Sequence, residues 1–229
     1  MLATYSSRPG NGLKTSVAVA LLALVPAPAV MAQSSPPAAG QGAGWAPAQA
    51  QLKRLEAGAI IAEGDVAADR AAADIRAAVL IEAPPERVFR TLTDCAQALR
   101  VVPHLKRCAV LDTAADGSWQ EVEQTVDYGW LAPRAHYVFH ADYDRFERIR
   151  FSNLRGDFHE NHGAWEFHAL KGGRATLVVY RARVVPAFFV PRWMMRSMLK
   201  RDLPDLMRGL RARSEAARPP AATSTPPPP

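Results

Sequence analysis

The segment PRWMMRSMLKRDLPDLMRGL, residues 191–210, decides how the rest of the chain can fold. Met194, Met195, Met198, Leu199, Leu203, Leu206 and Leu210 recur at three- and four-residue spacing, the period of a helix with one apolar stripe. Pro191 opens this helix, where a missing N–H has no partner to lose. Pro204 lies inside it and predicts a kink, because it removes a backbone donor and crowds the preceding turn. Such a helix must lay its stripe on something.

What precedes it is a run of strands. From Lys106 to Pro186 apolar and polar residues alternate between turn signals at Asp116-Gly117, Gly129 to Pro133, Asp144 to Phe146, Gly156-Asp157 and Gly172-Gly173. Runs of this kind, with no helical period between them, predict an antiparallel meander. An open sheet has to bury one face, and the terminal helix is the element able to cover it.

Working further outward, Asp74 to Glu82 alternates, with Ile75, Ala77, Val79 and Ile81 on one face and Arg76, Ala78, Leu80 and Glu82 on the other. This reads as a strand covered on one side. Pro84-Pro85-Glu86 stops it and starts a helix whose buried stripe is Val88, Phe89 and Leu92. Asp94, with Gln97 three residues on, has the form of a capping box, so a second short helix runs from Cys95 to about Val101 and stops before Pro103. Leu52 to Ile61, broken by Gly58, is compatible with a helical turn or with a strand added to the sheet.

This order resembles the START-like or SRPBCC helix-grip superfamily, and within it the coenzyme-Q-binding START-domain and polyketide cyclase/dehydrase group. The residues that carry the resemblance are Ile81-Glu82-Ala83-Pro84-Pro85-Glu86-Arg87-Val88-Phe89 with Thr93-Asp94, Val102-Pro103, and Gly156-Asp157-Phe158. Gly163-Ala164-Trp165-Glu166-Phe167, Gly173-Arg174-Ala175-Thr176-Leu177 and the closing Pro186, Pro191 and Leu203-Pro204 complete it. The resemblance implies an α+β helix-grip fold: a curved antiparallel sheet wrapped around a long C-terminal helix, with two short helices after the first strand. It also implies a deep apolar cavity used for lipids, quinones, polyketides and similar ligands. Some members only bind and others catalyse, so the fold alone does not choose.

The ends have a different character. Arg8 and Lys14 precede an apolar run from Val17 to Val25, and short residues follow up to Ala32. Residues 1–32 are therefore expected to be a signal peptide cleaved after Ala32, placing the mature chain in the periplasm or outside the cell. Residues 33–50 and 216–229 are rich in Pro and Ala and read as linker and tail, leaving 51–215 as one ligand-binding domain. Cys95 and Cys108 are the two cysteines. In an exported chain they are expected to form a disulfide, since the turn at Pro103 doubles the chain back between them.

The net charge is +6, but Arg8 and Lys14 belong to the leader. Arg192, Arg196, Lys200, Arg201, Arg208, Arg211 and Arg213 concentrate much of the remainder in the terminal helix. A local excess of this kind does not argue for nucleic acid; it allows weak contact with a membrane surface.

No phosphate-binding Gly-rich loop, Gly-x-Ser-x-Gly elbow or paired-Cys zinc spacing occurs, so the sequence calls for neither cofactor nor metal. His136, His140, His159, His162 and His168 cluster in sequence. However, His136 and His140 lie ~13 Å apart along a strand and opposite Tyr137 and Phe139, which points most of the cluster to solvent. Tyr128, Tyr137, Phe139, Phe151, Trp165, Phe167 and Tyr180 fall on inward positions facing Met194 and Met198. They are the candidate contacts for a hydrophobic small molecule such as a quinone or lipid. An enzyme of the cyclase or dehydratase kind would need an acid or base in that space, for which Tyr128, Tyr180 and Asp127 are the candidates.

Overall fold

The computed structural model describes residue 47 and residues 49–67, 72–131 and 133–216. The expected leader at 1–32, most of the expected linker at 33–50 and all but the first residue of the expected tail at 216–229 lie outside the described residues. No helix among the described residues is long and apolar enough to cross a membrane.

Helix α1 (Gln49–Glu56) and strand β1 (Ile60–Val66) share the stretch whose sequence allowed either. Gly58, at a φ of 90°, makes the turn between them. Strand β2 (Ala73–Ile81) leads to α2 (Pro85–Thr93) and α3 (Cys95–Val101). The meander follows as β3 (Leu105–Thr113), β4 (Trp119–Val126), β5 (Ala135–Asp144), β6 (Arg148–Gly156), β7 (Phe158–Leu170) and β8 (Ala175–Pro186), with a 3-10 turn at Gly129–Leu131. Helix α4 (Arg192–Ala216) closes the chain and continues through Pro204. The eight strands form one antiparallel sheet in the order β1-β2-β8-β7-β6-β5-β4-β3.

Two local expectations are corrected. Strand β2 is buried on both faces from Ala77 to Ile81, because Leu55 of α1 packs with Ile61, Ala78, Leu80, Ala175 and Val179 on the sheet's outer face. Asp94 does cap α3, accepting from the Ala96 N–H at 2.8 Å. Gln97 does not complete a capping box, because its Oε1 instead accepts from Arg213 of α4 at 2.6 and 3.1 Å.

Polar ties hold the C-terminal half of α4 to the sheet and the short helices. Arg211 donates to the Leu80, Gly58 and Ala59 carbonyls, and Glu215 accepts from the Glu82 N–H at 2.9 Å. Ser214 meets Thr91 at 3.3 Å. Beneath this half the space is filled: Leu203, Met207 and Leu210 pack with Val79, Ile81, Val88, Phe89, Phe167 and Val178. The N-terminal half makes a different contact, with Met194, Met195, Met198 and Leu199 gathered near Ala73, Ile75 and Val66. Gly64 of β1 lets this half come close, since a β-carbon there would lie 2.8 Å from Leu199 Cδ1. Cys95 and Cys108 form a disulfide, with Cα atoms 5.3 Å apart, that ties α3 to β3.

Candidate ligand-binding site

The filled core stops part-way along the helix. Between the N-terminal half of α4 and the sheet lies a cavity of about 240 Å³. Ala73 and Ile75 of β2, Tyr180 and Val184 of β8, Phe158 and Asn161 of β7 and Tyr137 of β5 contribute its sheet side. Met195, Met198, Leu199, Leu203 and Leu206 contribute its helix side. Tyr128 and Pro133 from the β4–β5 connection, and Phe188 and Val190 from the β8–α4 connection, border it as well.

The inward aromatic set divides accordingly. Tyr128, Tyr137, Tyr180 and Met198 line the cavity. Phe139, Phe151, Trp165 and Phe167 instead belong to the packed cluster next to it, and Met194 packs with Ala73, Val190 and Met195. The two groups meet across strands, where Trp165 faces Tyr180 in register and stacks on it at 4.1 Å, and along β5, where Phe139 lies 6.1 Å from Tyr137. Phe167 is farther into the filled end, edge-on to Phe89 at 5.8 Å. Trp165, Phe151 and Phe139 therefore back the cavity wall that Tyr180 and Tyr137 present.

The polar groups of the cavity are few. Tyr137 donates to Gln124 Oε1 at 2.7 Å, and burial raises its phenol above the ordinary range, with Tyr180 and Tyr128 adding to the effect. Burial raises Tyr180 in the same direction. Asp127 takes no part, because it is held ionised in the adjoining turn by the Gly129 N–H and by Arg134.

Sequence reasoning passed over the carboxylate that does line the cavity, Asp202. Its Oδ1 lies 3.6 Å from His104 Nε2, and its Oδ2 is buried with no hydrogen-bond partner. The Tyr128 phenol is near enough to Asp202 for each group to shift the other's titration. Burial is the main cause that raises Asp202 above the usual carboxylate value, and His104 opposes it. His104, its ring tilted against that of Tyr128 with centroids 4.4 Å apart, is the histidine outside the sequence cluster. None of the five clustered histidines lines the cavity, and three pair with carboxylates: His136 with Glu123 at 3.1 Å, His140 with Asp142 at 3.3 Å and His168 with Glu166 at 3.6 Å. A signal for Asp202 was present, since it falls on the same helical stripe as Met195, Met198, Leu199 and Leu206.

Residues 81–211 match the model of the family described as polyketide cyclase / dehydrase and lipid transport. The chain belongs to this family. Solved structures of the same fold include the Zhui aromatase/cyclase from a Streptomyces species, at 16% identity and a TM-score of 0.55, covering 66% of this chain and 98% of that one. They also include a STAR-related lipid transfer protein from Xanthomonas axonopodis, at 15% and 0.58, covering 68% and 93%. Human StAR-related lipid transfer protein 5 aligns at 12% and 0.56, covering 73% and 91%. At these identities the likeness concerns the helix-grip fold. No curated protein sequence matches the chain. In this chain the cavity lies between the sheet and the N-terminal half of α4.

Proposed function

We propose that this polyketide cyclase/lipid transport family member is an exported carrier for a hydrophobic small molecule, an isoprenoid quinone or another lipid-like ligand, held between the sheet and α4. The observation that carries this reading is the cavity, whose walls are largely apolar and whose tyrosines stand on a packed aromatic layer. At about 240 Å³ it is smaller than the ~300 Å³ at the low end of pockets that enclose whole drug-sized ligands. A ring-sized part of a ligand fits there, and a tail would extend out between the bordering connections.

Those connections and the first turn of α4 also carry exposed aromatics. Trp130 is 93% exposed, Phe189 85% and Trp193 68%, each within a few residues of a cavity-lining side chain. Arg192 and Arg196 lie beside them in sequence. Aromatic rings next to guanidinium groups suit the interface of an anionic membrane, so ligand exchange is assigned to contact with a membrane surface through this rim. The leader at 1–32 and the Cys95–Cys108 disulfide both fit an oxidising compartment such as the periplasm.

A second reading, a cyclase- or dehydratase-type enzyme, gains one specific support: Asp202 is a carboxyl in a largely apolar cavity, raised by burial as a proton donor's would be. Mass spectrometry of an organic extract of the protein, isolated from its host's periplasm, tests the carrier reading. One unaltered apolar compound at close to one equivalent supports it. Conversion of that compound during incubation with fresh protein would favour the enzyme, and absence of the protein from the periplasm would remove the exported carrier.

A further inference from the structure

We infer that Asp202 is the recognition point for one polar oxygen on an otherwise apolar ligand, a carbonyl held beside Asp202 and Tyr128 while the rest of the molecule lies against the sheet. This rests on the carrier reading above and says what kind of ligand the carrier takes. Its basis is geometric. Asp202 lines the cavity amid Met195, Met198, Leu199, Leu203 and Leu206, and its Oδ2 is buried with no partner among the described residues. A buried polar atom without a partner is disfavoured unless something else supplies the hydrogen bond. Side chains of the helical stripe offer no such group, and the nearest donor, the Tyr128 hydroxyl, also lines the cavity, so the two are placed to share one polar atom of a bound molecule.

The surroundings decide which oxygen is preferred. His104 faces Asp202 from the α3–β3 turn, Tyr128 from the β4–β5 connection, and Asp205 from its own helix, while Tyr137 and Tyr180 lie across the cavity. Burial raises the Asp202 carboxyl against the opposing attraction of His104, a shift in the direction of its neutral form. A neutral carboxyl is a hydrogen-bond donor, which matches a carbonyl oxygen, an acceptor without a proton of its own. The Tyr128 hydroxyl is a second donor on the same side.

The test uses two probes of similar shape, menadione, which carries carbonyls, and methylnaphthalene, which does not. Their affinities are measured by displacement of a fluorescent apolar dye from the full mature chain, wild type and two variants. Differences in the hydration of the free probes cancel when the ratio of the two affinities is compared between proteins. Asp202→Leu should keep or strengthen methylnaphthalene binding and lose about tenfold of the wild-type preference for menadione, the scale of one good hydrogen bond. Asp202→Asn, which keeps an N–H donor, should hold most of that preference. An Asp202→Leu protein that retains the full preference, or that loses both probes in parallel, overturns the anchor. Wild-type protein that binds both probes with no carbonyl preference to lose also overturns it and leaves the carrier reading standing, whereas wild-type protein that binds neither removes both.

Discussion

Truncating Phe167 of β7 and truncating Met198 of α4 should have different consequences, although both side chains lie between the sheet and the long helix. Phe167 is 4% exposed and packs with Val178, Met207 and Leu210, edge-on to Phe89. Phe167→Ala leaves a hole in a filled core and should cost ~3 to 5 kcal/mol. At ~2 to 4 °C per kcal/mol for a domain of this size, Tm falls by roughly 10 °C. Met198 is half-buried and already borders about 240 Å³ of open space. Met198→Ala enlarges an existing cavity, so most of the cavity penalty is absent and about 1 kcal/mol of lost transfer energy remains. The same change removes a contact with bound ligand, which should weaken an apolar probe about fivefold. Urea unfolding of both variants, paired with probe titration at a temperature where both are folded, gives the two quantities separately. If Met198→Ala costs as much as Phe167→Ala and leaves probe affinity untouched, the stripe is solid core and the cavity has no role.

Asp202→Asn should become more stable relative to wild type as pH rises from about 3 to about 7. The reason is that the raised folded value makes the neutral carboxyl's contribution complete below the unfolded value and lost on passing the folded one; a flat difference in chemical denaturation across that range would contradict the burial argument. Reducing the Cys95–Cys108 bridge, which spans 13 residues, should lower unfolding free energy by ~3 kcal/mol, and a Cys95→Ser/Cys108→Ser variant should be insensitive to reductant. A Trp130→Ser/Phe189→Ser/Trp193→Ser variant should keep wild-type Tm and lose co-sedimentation with anionic vesicles; undiminished sedimentation would dismiss the aromatic rim as the docking surface. N-terminal sequencing of the protein from its host should read from Gln33, and recovery of Met1 would refute export.

Periodicity made most of the fold readable. The stripe from Met194 to Leu210, the alternation from Asp74 to Glu82 and the paired turn residues each follow from where side chains point along a helix or strand, and the elements sit where these patterns put them. The second buried face of β2 was not readable, because Leu55 lies in a stretch with no period long enough to separate helix from strand. The site was legible only at the level of a face. Alternation places Tyr180 and Phe167 equally inward, and whether a residue borders empty space or other side chains depends on how far along the sheet the helix stays in contact. Asp202 was hidden in a different way: its charge read as part of a basic segment, while its position on the apolar stripe carried the information.

The central claim, that the space beneath the N-terminal half of α4 receives an apolar molecule, is tested most directly by titrating the purified mature chain with a fluorescent apolar probe alongside Val184→Phe. Val184 lines the cavity from β8, and the added ring would occupy the space a ligand needs. Wild type should bind one equivalent at micromolar concentration, and Val184→Phe should remain folded and bind at least about tenfold more weakly. Binding that Val184→Phe leaves unchanged, or no saturable binding by wild type, would contradict the account.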